Sequence, residues 1–136
     1  MKRDMASLSR SSVKVGITHA GDGDGETVEH AVLNEFGTEH IPARPFMRRT
    51  ADTHEKDTYR IARASVASML VGRLSVDGVL EQMGSFYRGW MRGMLNTSKS
   101  WAVPNAPRTL EMKKGDKPLF DTGDVERSIN YEKVRR

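Results

Sequence analysis

The groups able to do chemistry in this chain are four histidines, eighteen Asp and Glu, and twenty-two Lys and Arg, with no cysteine. Their spacing decides what that chemistry could be. "DGDGE", residues 22–26, alternates acids with glycines as a calcium loop does. An EF-hand loop opening at Asp22 needs a bidentate acid at its twelfth position, and that position is Leu33. The stretch therefore reads as an acidic turn. His19, His30, His40 and His54 show neither HxH nor HExxH spacing, so a metal site would have to be assembled by the fold. No GxSxG elbow presents a serine nucleophile, and no Walker or GxGxxG pattern cradles a phosphate. Cysteine chemistry is excluded outright. The expectation is a protein without catalytic residues, cofactor or metal.

Basic residues leave a second reading open. Arg44, Arg48 and Arg49 form one cluster and Lys133, Arg135 and Arg136 another, and either could meet phosphates. The formal charge of +4 is a mild imbalance. No helix-turn-helix, zinc or RNP pattern accompanies the clusters. Phe86, Tyr87 and Trp90 lie on an apolar helical stripe, which marks them as core rather than as a base-stacking platform.

A chain of 136 residues has room for one modest core. Residues 1–10 are polar and read as a flexible start, leaving 11–136 as a single domain. The start lacks the apolar run of a signal peptide, and no stretch is apolar for long enough to span a membrane.

"SVKVGITH" alternates, with Val13, Val15 and Ile17 on one face, and reads as a half-buried strand. The glycine-rich acidic turn then closes a hairpin whose return arm is "TVEHAVLNEF". Alternation in that arm is poor, so it carries a bulge or switches to helix near Ala31. Gly37, Pro42 and Pro45 interrupt regular structure, and Pro45 suits the first position of a helix. From Phe46 the helical period places Tyr59, Ala62, Val66, Met69 and Leu70 inward, with Asp52, Glu55, Lys56, Arg60 and Arg63 outward.

Gly72 breaks that helix, Ser75 caps the next and Asp77 suits its first turn. Val76 to Leu95 then carry the clearest helical periodicity in the chain, either as a second helix or as the second half of one broken helix. Gly78, Gly84, Gly89 and Gly93 within it imply a close backbone approach or a bend. "NTSKSWAVPNAPRT" reads as loop. "LEMKKGDKPLF" holds a short helical turn, a Gly-Asp turn and Pro118, and "INYEKV" alternates as a closing strand. The expected fold is α+β: a small antiparallel sheet, made of the N-terminal hairpin plus the C-terminal strand, packed against two helices.

Two separated motifs carry a family resemblance. "NEFGTEHIPARPFMRRT" resembles an E-[FY]-G-T…IPARPF-[LM]-R signature. Trp101, Asn105, Ala106, Pro107, Thr109, Lys113, Pro118, Leu119, Asp121, Thr122 and Gly123, followed by Ser128 and Ile129, resemble its second half. Together they are similar to the tail-completion, or neck, proteins of tailed bacteriophages and prophages, also described as virion morphogenesis proteins. Phe120 stands where a small aliphatic is common, and Asp124-Val125-Glu126 is more acidic than usual there.

The resemblance implies a structural virion protein at the head–tail junction, assembled in the host cytoplasm as a homo-oligomeric ring. Its implied partners are its own copies, head-connector and tail proteins, and packaged DNA. Phe36, Gly37, Arg44, Pro45, Phe46, Arg48, Asp121, Thr122 and Gly123 become the expected assembly residues. Proline-stiffened turns carrying arginine and phenylalanine suit that role, because such residues commonly anchor interfaces. The same segment could instead launch the first helix with Phe46 in the core. A small basic DNA-binding protein is the alternative function.

Overall fold

Alternation in Ser11–Ile17 (β1) finds its partner at the far end of the chain, in Ile129–Arg135 (β2). The strands pair antiparallel from Ser11↔Arg135 to Ile17↔Ile129, and together make a two-stranded sheet. The computed structural model describes residues 1–18, 24–106 and 123–136. The remaining described elements are helices: α1 (Lys2–Leu8), α2 (Gly25–Phe36), α3 (Phe46–Thr53), α4 (Glu55–Leu70), α5 (Val76–Asn96), α6 (Ser98–Trp101) and α7 (Asp124–Ser128). The protein is thus mixed α+β and mostly helical.

Helix α5 is the hub, packing on both strands and on α3 and α4. Ser75 starts it, its hydroxyl accepting from the Gly78 N–H at 3.0 Å. Met91, Met94 and Leu95 from α5 join Phe46, Ala31 and Ile129 in the core, with Val15, Ile17, Met47, Tyr87, Trp101 and Val125 around it. Here α4 and α5 are separate helices joined through residues 71–75 and bonded across by Ser65 Oγ donating to Gln82 Oε1 at 2.6 Å.

Three expectations are corrected. The hairpin does not form: its expected return arm is α2, which begins where the Asp24 side chain accepts from the Thr27 N–H at 2.8 Å. That bond also holds the Asp24 carboxyl below its usual range. Thr27, Ala31 and Glu35 form its buried line, four residues apart along one face of the helix. The helix expected to run on from Phe46 divides at His54 into α3 and α4. Within α4, Ala62, Val66 and Met69 face inward as expected and Ser65 joins them, but Tyr59 is 72% exposed and Leu70 also reaches solvent. Residues 2–8 form α1, and none of them is buried. Phe86 is exposed, and Trp90 stacks on His54 with ring centroids 4.5 Å apart instead of filling the core.

The α5 glycines differ among themselves. A Cβ on Gly84 would strike the Tyr131 ring, 2.6 Å from its Cγ, whereas Gly89 and Gly93 face open space. Only Gly84 among these three marks a close approach, by a β2 side chain. Gly84→Ala should therefore lower the thermal midpoint, since overpacking costs about 1–3 kcal/mol, while Gly89→Ala should hold or raise it through helix propensity, worth up to about 1 kcal/mol. Circular dichroism melts of the two variants check the contrast; equal midpoints would contradict it.

Candidate functional site

The crossing from α2 to α3 begins with a carboxylate and ends on the helix that it caps. Pro45 occupies the N-cap of α3 and offers no side-chain acceptor. Glu35, on the last turn of α2, supplies one from a distance. Its Oε2 accepts from the Met47 N–H at 2.9 Å, and its Oε1 accepts from the Arg48 N–H at 3.0 Å and from Arg48 Nε at 3.1 Å. Arg48 Nη2 returns a bond to the Glu35 carbonyl at 2.6 Å. A buried carboxylate at a helix N-terminus satisfies orphan N–H groups and meets the positive end of the helix dipole.

Between these anchors the chain turns at Gly37, with φ +71°. A Cβ there would lie 2.8 Å from the Ala43 nitrogen and 2.9 Å from the Ile41 carbonyl oxygen, both backbone, so glycine is required. The Thr38 N–H donates to the Ile41 carbonyl, and Thr38 Oγ1 accepts from the N–H groups of His40 and Ile41. Residues 37–41 therefore form a self-bonded turn.

Arg44 joins the two motifs. Its backbone N–H donates to the Asn34 carbonyl at 2.6 Å, while Nε and Nη2 donate to the carbonyls of Val103 and Pro104 at 2.8 and 3.2 Å. Burial lowers the Arg44 guanidinium from its ordinary pKa. Nearby, the Arg49 guanidinium lies over the Trp101 ring at 5.0 Å, and Trp101 Nε1 donates to the Met94 carbonyl. A segment remote in sequence is thereby fixed to the crossing and to the end of α5.

The expected assembly residues differ in where the fold puts them. Phe46 is fully buried and Arg44 nearly so, which removes both from the outer face of the folded chain. Arg48 is held by Glu35, and Pro45 is half-buried at the start of α3. Phe36 and Arg48 are the two expected residues that stand exposed, Phe36 at 70% with the Arg48 guanidinium 5.6 Å from its ring centroid. Gly37 shapes the turn. Gly123 is buried at the start of α7, where its carbonyl accepts from the Arg127 N–H. Asp121 and Thr122 lie outside the described residues, as do His19, Pro118 and the short helical turn expected before it. Sequence reasoning does not select Glu35, Val103 or Pro104. The acid opening the first motif is the available signal for Glu35; nothing local marks two backbone carbonyls as partners of Arg44.

The C-terminal basic cluster is engaged as well. Lys133 Nζ donates to Asp77 Oδ2 and Glu81 Oε2, both at 3.0 Å, and Arg135 Nη2 donates to Asp77 Oδ1 at 2.7 Å. The bond from Lys133 holds the Asp77 carboxyl below its usual range. Glu81 is lowered by the Tyr131 hydroxyl and then by Lys133, while Lys133 itself is raised by Glu81 and Asp77. The Glu81 carboxylate bonded to the Tyr131 hydroxyl raises that phenol.

Comparison of the chain with protein-family models, with curated proteins and with solved structures gave no match.

Proposed function

We propose that this chain is a structural virion protein of a tailed phage or prophage, a tail-completion or neck subunit that forms a ring joining the tail to the head connector. The observation that carries the reading is the joining of its two motifs. Arg44 of "IPARPF" bonds the carbonyls of Val103 and Pro104 in "WAVPNAP", and Glu35 caps the helix that "PFMR" begins. The motif residues spend their polarity on one another and build a stiff platform with no reactive group at its centre. Such a platform suits a subunit that must hold its shape before it assembles, because ordering a loop on binding weakens association.

The DNA-binding alternative has less support. Of its two clusters, Arg44 is buried, Arg48 is paired with Glu35, Arg49 lies over Trp101, and Lys133 and Arg135 bond Asp77 and Glu81.

Electron microscopy of a lysate in which the encoding phage lacks this chain tests the proposal. Filled heads beside free tails are expected; normal joined particles in that lysate would refute it. A steep salt-dependent shift of duplex DNA by the purified chain would favour the alternative.

A further inference from the structure

Val28, Val32 and Phe36 recur at every fourth residue of α2 and form one line along it. They are 42%, 49% and 70% exposed, while the line through Thr27, Ala31 and Glu35 is buried. Helix α2 therefore gives one line to its own core and leaves a second, apolar line uncovered. The exposed acids Glu26 and Glu29 stand beside it.

A surface of opposite character runs along α4. Lys56, Tyr59, Arg60, Arg63, Ala64 and Ala67, all on this one helix, line a shallow groove open to solvent. Ala64 and Ala67 are its small residues, Tyr59 stands exposed beside them, and Leu70 and Val71 extend the apolar character beyond it. Its rim is basic. Arg60 bonds Asp57, but Lys56 and Arg63 make no ion pair with any described residue.

We propose that the exposed line of α2 in one copy of this chain seats in the α4 groove of the next copy. Small residues in the groove floor allow a second helix to approach closely. The apolar line supplies burial, and Glu26 and Glu29 offer the charge that Lys56 and Arg63 lack. The two helices belong to different packing groups, α2 against α3 and α7 and α4 against α5, so the contact joins two unlike faces. A contact of unlike faces leaves each of the two copies with its other face still free, and so propagates into a ring or a filament. This assignment rests on the reading of the chain as an assembling subunit and names its two surfaces.

Light scattering on the full chain, combined with a mixing experiment, tests it. The wild-type mass should rise above that of a monomer with concentration. Val32→Asp, which spoils the α2 line, and Arg63→Glu, which spoils the groove rim, should each weaken self-association by roughly tenfold or more. An equimolar mixture of the two should recover a two-chain complex, because each variant keeps the face the other has lost. Phe36→Asp with Ala67→Glu provides a second pair, and circular dichroism verifies that all four fold.

A wild-type chain that stays monomeric at millimolar concentration overturns the proposal. So does a mixture that stays monomeric. Variants that assemble as well as wild type overturn the choice of surfaces while leaving the assembly reading to the lysate experiment. Binding of duplex DNA that Arg63→Glu abolishes, without any change in self-association, assigns the groove to nucleic acid and overturns it too.

Discussion

Phe46→Ala should cost about 3–5 kcal/mol of stability, the usual range for truncating a fully buried aromatic. Phe46 has no exposed surface and packs in the cluster of Ala31, Met91, Met94, Leu95 and Ile129, so its loss opens a cavity where α2, α3, α5 and β2 meet. The thermal midpoint should fall by more than about 10 °C, since each kcal/mol moves a domain of this size by several degrees. Any loss of head–tail joining in this variant should track the loss of folded protein. A variant that melted like wild type yet failed to join would return Phe46 to the contact surface and contradict its place in the core.

Glu35→Ala should destabilise by about 2–4 kcal/mol, through a different mechanism. It removes the acceptor of the Met47 and Arg48 N–H groups and leaves the start of α3 uncapped in a largely buried setting. The ion pair itself contributes less, because the Arg48 side chain is 58% exposed and water screens it. Glu35→Gln keeps one carbonyl acceptor and should lose about half as much. Urea unfolding of the two variants separates these terms. Equal losses in Ala and Gln would place the stabilisation in the charge rather than in the cap.

Both effects come from the proline-stiffened segment between α2 and α3, and they show which parts of the fold local pattern can reveal. The long helix is legible in outline because Ser75, Asp77 and the apolar period from Val76 to Leu95 agree with one another. The strands are legible from alternation, and β2 lies where "INYEKV" places it. Helix α2 is hidden because Asp24 looks like part of an acidic turn until Thr27 is seen to donate to it. Tyr59 and Leu70 lie on one edge of the inward stripe of α4, where an apolar side chain does not by itself say which way it faces, and the division at His54 carries no proline or glycine to announce it.

The site is legible in composition but not in direction. Arginine and phenylalanine in a proline-stiffened turn fit an interface and a core joint equally well, and burial separates the two. Arg44 finds its acceptors fifty-nine and sixty residues onward, a pairing set by how the loop after α6 lies across the crossing. Phe36, by contrast, is selected from sequence and does stand exposed, in line with Val28 and Val32, which alternation also puts on one face without showing that this face is open to solvent.

Adding the purified wild-type chain to a lysate of separated heads and tails that lacks it, then counting infectious particles, tests the central claim most directly. The assembly reading requires the particle count to rise with added chain, and electron microscopy to show heads newly joined to tails. An unchanged count, with heads and tails still apart after folded wild-type chain is added, would contradict it.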